Sequence, residues 1–244
     1  MAGAAPSAPE PQRLSKVVAA LVPCSRREAE LYIAQGWVRV DGACVDEPQV
    51  RVAPGQRVEV DPQARLQPEV AATFLLHKPA GVDANVASDA FAEARRFSGD
   101  ASGIRRSKAH LAGLKGLLPL PAHASGLSVY SQDFRVVRKL TEDAALIEQE
   151  LIAEVQGAIA PGGLERLGHG LVREGRALPP ARVSWQSETR LRFAVKGIAP
   201  EAVPWMCEQV GLQVVGLRRI RIGRIPMAGL PAGQWRYLAE GERF

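Results

Sequence analysis

Between Val60 and Thr73 the chain stops reading like a packed segment. Residues 61–68 run Asp-Pro-Gln-Ala-Arg-Leu-Gln-Pro, polar and proline-bearing without apolar periodicity, which is the composition of a linker. A break there divides 244 residues into a small leading module and a larger trailing domain, each able to bury its own core. The resulting plan is a disordered tail over 1–12, a module over 13–60, a linker over 61–72 and a domain over 73–240. The tail reading rests on the Ala- and Pro-rich start, which lacks the basic opening and apolar core of a signal peptide.

Within the module, Leu14, Val17, Val18, Leu21 and Val22 recur at helical spacing, and Pro23 closes that helix. Ser25 is placed to cap a second helix beginning Arg26-Arg27-Glu28, with Ala29, Tyr32 and Ile33 on its apolar face and Gly36 as its stop. Trp37-Val38-Arg39-Val40 alternates as a strand, Asp41-Gly42 supplies a hairpin turn, and Val50-Arg51-Val52 and Arg57-Val58-Glu59-Val60 continue the alternation around Pro54-Gly55.

Charge gives a direction but no identity. Lys and Arg total 31 against 26 Asp and Glu, a mild lean toward polyanionic partners. No apolar run approaches the roughly 20 residues of a membrane helix, so no membrane partner is expected. Cys24, Cys44 and Cys207 are odd in number and far apart, which argues against a disulfide framework and for a reducing cytoplasm. His77, His110, His123 and His169 lack metal-ligand spacing, so neither metal nor cofactor is expected, and the protein is read as a monomer.

The local charge pattern says more. Arg26 and Arg27 stand in the first turn of the second helix, where their charges oppose the positive end of the helix dipole. A helix selected only for stability would carry Asp or Glu there. An external phosphate explains two arginines better, since guanidinium meets phosphate oxygens in pairs and free N–H groups at a helix start add to the attraction. Lys16 and Arg39 are candidates for the same patch.

Ser25-Arg26-Arg27-Glu28, Gly36-Trp37-Val38-Arg39-Val40-Asp41-Gly42 and Gly55-Gln56-Arg57-Val58-Glu59-Val60 together resemble the S4 RNA-binding domain. The larger domain resembles the pseudouridine synthases. His77-Lys78-Pro79-Ala80-Gly81 is similar to that family's Asn-Lys-Pro-Ala-Gly, and 118–127 sits where its active-site loop reads Gly-Arg-Leu-Asp and ends in Gly-Leu. Leu217-Arg218-Arg219-Ile220-Arg221-Ile222-Gly223 and Leu230-Pro231-Ala232-Gly233 are similar to the branch that carries an S4 domain and modifies ribosomal RNA. The resemblance spans 13–238. It implies an α+β fold, a small S4 module followed by a domain with a mixed, mainly antiparallel sheet, and ribosomal RNA as the partner.

That family breaks a uridine glycosidic bond and rejoins the base through carbon. The reaction needs a carboxylate acting as nucleophile or base, and a uridine flipped from its stack at a cost of a few kcal/mol. This chain departs from the family pattern at each position. Counting back from Gly126, the Asp position is Pro121, which has neither carboxylate nor backbone N–H, and the Arg two residues earlier is Pro119. The family's Lys-x-Tyr aligns with Gln149-Glu150-Leu151, so the stacking ring becomes Leu151. Its basic run before the last helix aligns with Gly197-Ile198-Ala199-Pro200-Glu201, which holds no arginine.

No catalytic residue is therefore assigned. The first expectation is an RNA-binding protein that has lost catalysis. The alternatives are an active synthase with a relocated carboxylate and a protein-interaction scaffold. Asp133 lies twelve residues beyond Pro121 along the next strand, and His123 is a lone loop histidine among apolar residues. Two further basic features stand out. Residues 91–110, with Arg95, Arg96, Arg105, Arg106 and Lys108, read as a mobile basic loop, and strand alternation puts Arg219 and Arg221 on an open face with Ile220 and Ile222 inward.

Overall fold

The computed structural model describes residues 10–66, 71–86 and 88–244; most of the expected tail, 1–9, and linker residues 67–70 lie outside them. The chain divides into two compact units. The first takes the chain before Ala71 together with Ile104–Ala112, and the second takes Ala71–Gly103 and Gly113–Phe244.

In the first unit helices α1 (Leu14–Leu21) and α2 (Arg26–Ala34) pack on each other. Pro23 falls between them, and Ser25 caps α2 through a complete capping box. Its hydroxyl accepts from the Glu28 N–H at 3.2 Å, and the Glu28 carboxylate accepts from the Ser25 N–H at 2.7 Å. Strand β1 (Val38–Val40) lies between β2 (Ala43–Cys44) and β3 (Val58–Val60), both antiparallel. Asp41 and Gly42 turn the β1–β2 hairpin with φ of 51° and 82°, the left-handed pair that an Asp-Gly turn supplies. Arg51–Val52 does not form a hairpin with β3, as the alternation suggested. It pairs with Gln12–Arg13, so ordered chain begins inside the expected tail. Leu14, Val18, Ala29, Ile33, Val38 and Val52 form the core.

Among the described residues the second unit is built on a nine-stranded sheet, with three α-helices, Phe134–Glu142, Gly163–Gly168 and Ala202–Glu208, contributing to its apolar clusters. Its strands in chain order are β4 (Thr73–Lys78), β5 (Lys115–Leu117), β6 (Ser125–Ser131), β7 (Gln149–Gly157), β8 (Arg182–Ser187), β9 (Arg190–Val195), β10 (Leu212–Ile222), β11 (Ile225–Pro226) and β12 (Trp235–Tyr237). Across the sheet the order is β8-β9-β7-β10-β6-β4-β12, with β11 on β10 and β5 on β6. Every neighbouring pair is antiparallel except β10 and β6. The α+β class and the mixed, mainly antiparallel sheet are therefore as the sequence implied.

Two apolar clusters hold the sheet. Helix α4 (Ala202–Glu208) sends Val203, Met206 and Cys207 into one, against Leu151, Ala153, Leu191 and Phe193. Helix α3 (Phe134–Glu142) places Leu140 in the other, with Leu127, Val129 and Ile222. The parallel seam brings Gly126 opposite Arg219, and there is no room there for a side chain: a Cβ on Gly126 would lie 2.6 Å from the Arg219 backbone nitrogen and closer still to its carbonyl oxygen.

Candidate functional site

The first unit gathers cations where α1 begins. The helix follows Arg13, has no side-chain cap and carries no acidic residue in its first turn, so its positive dipole end is unopposed. Arg13, Lys16 and Arg26 line a cavity of about 550 Å³, together with Glu10. Ser15 also lines it and is 2% exposed. Lys16 and Arg26 stand out in the sequence alone; Arg13 does not, because it precedes the helix that positions it. Arg26 also pairs with Glu30 at 3.2 Å, an exposed contact of small energy.

The other two candidates stand apart from this cavity. Arg27 is exposed on α2 and does not line it. Arg39 donates to the Gly42 carbonyl at 3.0 Å, and its charge helps hold the Asp61 carboxyl below the usual range, after the Gln63 N–H bond.

In the second unit, positions far apart in sequence converge. Leu118, Pro119, Ala144, Gln149, Ile198 and Glu201 are among the walls of one cleft of about 280 Å³. Three segments singled out in the sequence, the loop, the start of β7 and 197–201, therefore face a common space. Leu151 does not reach it, being 0% exposed in the apolar core. His123 is exposed, and Asp133 caps α3 by accepting from the Arg135 N–H at 2.8 Å.

Beneath the loop lie two buried cations. The Arg219 guanidinium, 0% exposed, donates from Nε to Leu127 O at 2.7 Å, and from Nη1 to Leu118 O at 2.7 Å and Gln149 Oε1 at 2.8 Å. It ties both ends of the loop to β7. Its Nη2 has no hydrogen-bond partner among the described residues. Burial pulls its pKa down, opposed by the charges of Tyr130 and Glu201. The Lys78 amine donates to Val82 O at 2.6 Å, Pro79 O at 3.1 Å and Ala122 O at 3.3 Å. Burial lowers its pKa as well; Asp83 acts the other way and Arg219 adds to the lowering. Neither cation forms an ion pair among the described residues.

The expected open face with Arg219 and Arg221 is not present. A bulge in β10 between Arg219 and Arg221, opposite Leu151 and Glu150, resets the alternation, so Arg219 and Ile222 are both buried. Arg221 pairs with Glu148 at 2.5 Å and Glu150 at 2.6 Å, and its hydrogen bond holds the Glu148 carboxyl below its ordinary range. The 91–110 stretch is not one mobile loop either. Phe91 and Arg96 pack in the second unit, Arg96 over Trp235 and Tyr237 and 2.9 Å from Asp100, whereas 104–112 belongs to the first.

Residues 12–58 match the S4 domain family. Over nearly its whole length the chain is 27% identical to ribosomal large subunit pseudouridine synthase B of Bacillus subtilis, covering 95% of this chain and 93% of that protein. It is 26% identical to the dual-specificity RNA pseudouridine synthase RluF of Escherichia coli, covering 94% and 76%. A crystal structure of a pseudouridylate synthase superposes with a TM-score of 0.56 at 20% identity, covering 93% of this chain and 96% of the other, which shows a shared fold. Among the described residues no helix is long and apolar enough to cross a membrane.

Proposed function

Because the chain belongs to the family of RNA pseudouridine synthases that carry an S4 domain, we propose that it binds structured RNA, ribosomal RNA by its relatives' names, and does not isomerise uridine. Arg219 carries this reading. A fully buried guanidinium ordinarily sits against a carboxylate, because an uncompensated buried charge costs several kcal/mol. Here its partners are two carbonyls and an amide, with Nη2 left over, and the loop that it ties down has Pro121 where the family has Asp. The RNA-binding half of the reading is supported by Arg13, Lys16 and Arg26 around one cavity at an unopposed helix start. The remaining parts of the proposal are a cytoplasmic location, which rests on cysteine usage, a monomeric state and action without a cofactor.

Glu201 favours a second reading, since its carboxylate borders the cleft and its charge acts on Arg219. Incubating purified protein with unmodified ribosomal RNA and measuring pseudouridine separates the two. No conversion is expected from the wild type. Turnover that disappears in Glu201→Gln would establish a relocated carboxylate in place of the lost one.

For RNA binding, reversing Arg26 and Arg27 to Glu is expected to weaken affinity by about 10–100-fold and to flatten the salt dependence by about one unit for each phosphate no longer held. Unchanged affinity in a binding titration would move the interface elsewhere.

A further inference from the structure

The first unit is not basic by itself. Residues 10–66 carry eight Lys and Arg against eight Asp and Glu, so the module that is to meet a polyanion has no net charge. Residues 104–112 change this. They leave the second unit's sequence, join the first unit, and bring Arg105, Arg106 and Lys108.

Each of these cations goes to a carboxylate of the first unit. Arg105 lies 3.3 Å from Asp61, Arg106 3.6 Å from Asp46 and Lys108 2.7 Å from Glu47. Arg105 also stacks on Trp37, its guanidinium carbon 3.9 Å from the ring centroid, and donates to Gly36 O. Ser107 donates to Ala34 O at 3.2 Å. Ala34 is the last residue of α2 and Gly36 follows its C-cap; the helix has no basic residue in its final turn, so the segment supplies both a donor to its end and a counter-charge. It adds no residue to the first unit's apolar core.

We propose that 104–112 is a charge mask: it cancels the acidic residues Asp46, Glu47 and Asp61 and so gives the S4 unit the net positive charge that an RNA partner requires. The inference rests on the RNA-binding reading above. With the segment in place, the remaining carboxylates of 10–66 are largely engaged locally, Glu28 by Ser25, Glu30 by Arg26, Asp41 by Gln56 and Glu59 by Arg57. Arg13, Lys16 and Arg27 have no carboxylate partner among the described residues. A field of that sign draws a polyanion from beyond contact distance, so the masking residues need not touch RNA.

The test uses the full chain and a labelled RNA stem-loop at about 0.1 M salt, where the screening length is ~10 Å. Arg105→Gln/Arg106→Gln/Lys108→Gln is expected to weaken binding about tenfold. Adding Asp46→Asn/Glu47→Gln/Asp61→Asn to the same chain restores the net charge, and is expected to return affinity to within about threefold of wild type. Arg105→Lys/Arg106→Lys, which keeps the charge but loses the stacked fork, is expected to bind like wild type, separating charge from damage to the fold. An unaffected triple variant, or a sixfold variant that stays weak while both melt normally, overturns the mask. If wild type fails to bind and reversal of Arg26 and Arg27 changes nothing, the RNA-binding reading itself falls, and this inference with it.

Discussion

Gly126→Ala is expected to leave the second unit unfolded or to cost more than about 4 kcal/mol of stability. Two separate penalties meet at this position. Its φ is +112°, a region that L side chains rarely adopt, which costs on the order of 1–3 kcal/mol. The added methyl would also lie 2.6 Å from the Arg219 nitrogen, in backbone that the parallel β6–β10 seam holds in place. Backbone cannot swing aside as a long side chain can, so relief means parting two central strands. Gly103→Ala makes the control. Its φ of +69° is also left-handed, but nothing lies within 4 Å of its added methyl, and about 1 kcal/mol is expected. Urea unfolding read through tryptophan fluorescence reports both. Equal midpoints for the two variants would mean that the seam yields and that the close approach is not what selects glycine there.

Much of the fold follows from short-range patterns that the sequence displays openly. Ser25 and Glu28 at capping-box spacing, the Asp41-Gly42 turn and the stop at Gly36 are local chemistry, and each stands where its residues put it. What local patterns cannot carry is long-range pairing. Nothing in Val50-Arg51-Val52 says that its partner is Gln12–Arg13 instead of the nearer strand after Pro54-Gly55. The bulge in β10 is of the same kind. Period-two alternation sends Arg219 outward, and one extra residue opposite Leu151 and Glu150 turns it inward. A guanidinium in the core contradicts every compositional expectation of burial, so alternation alone had no means of finding it.

The candidate sites divide similarly. Lys16 and Arg26 could be singled out because each sits on a helix whose start the sequence marks, and both reach the cavity. Arg105, Arg106 and Lys108 look like loose surface charge because their partners, Asp61, Asp46 and Glu47, lie some sixty or forty residues back in the chain. Ion pairs at that separation leave no periodic trace. The cleft of the second unit is an intermediate case. Pro119, Gln149 and 197–201 are each singled out in the sequence, and the sheet order is what puts them around a single space.

Arg219→Met is expected to destabilise the second unit by about 3 kcal/mol while leaving RNA affinity within about twofold of wild type. Two effects of opposite sign decide the first number. Removing an uncompensated buried charge is favourable, and methionine fills much of the same volume. Against that, Leu118 O, Leu127 O and Gln149 Oε1 lose their donor together, and each unsatisfied buried acceptor costs about 1–3 kcal/mol. Three acceptors outweigh one charge already softened by two carbonyl dipoles and an amide. Gln149→Leu combined with Arg219→Met should therefore cost less than the two single changes added, by on the order of 1 kcal/mol, because the amide's one side-chain bond among the described residues is to Arg219. The second number follows from the proposal that the first unit makes the RNA contacts. A folded Arg219→Met protein without RNA affinity would place this guanidinium at a working site, and the cleft beside it could no longer be read as the remnant of one.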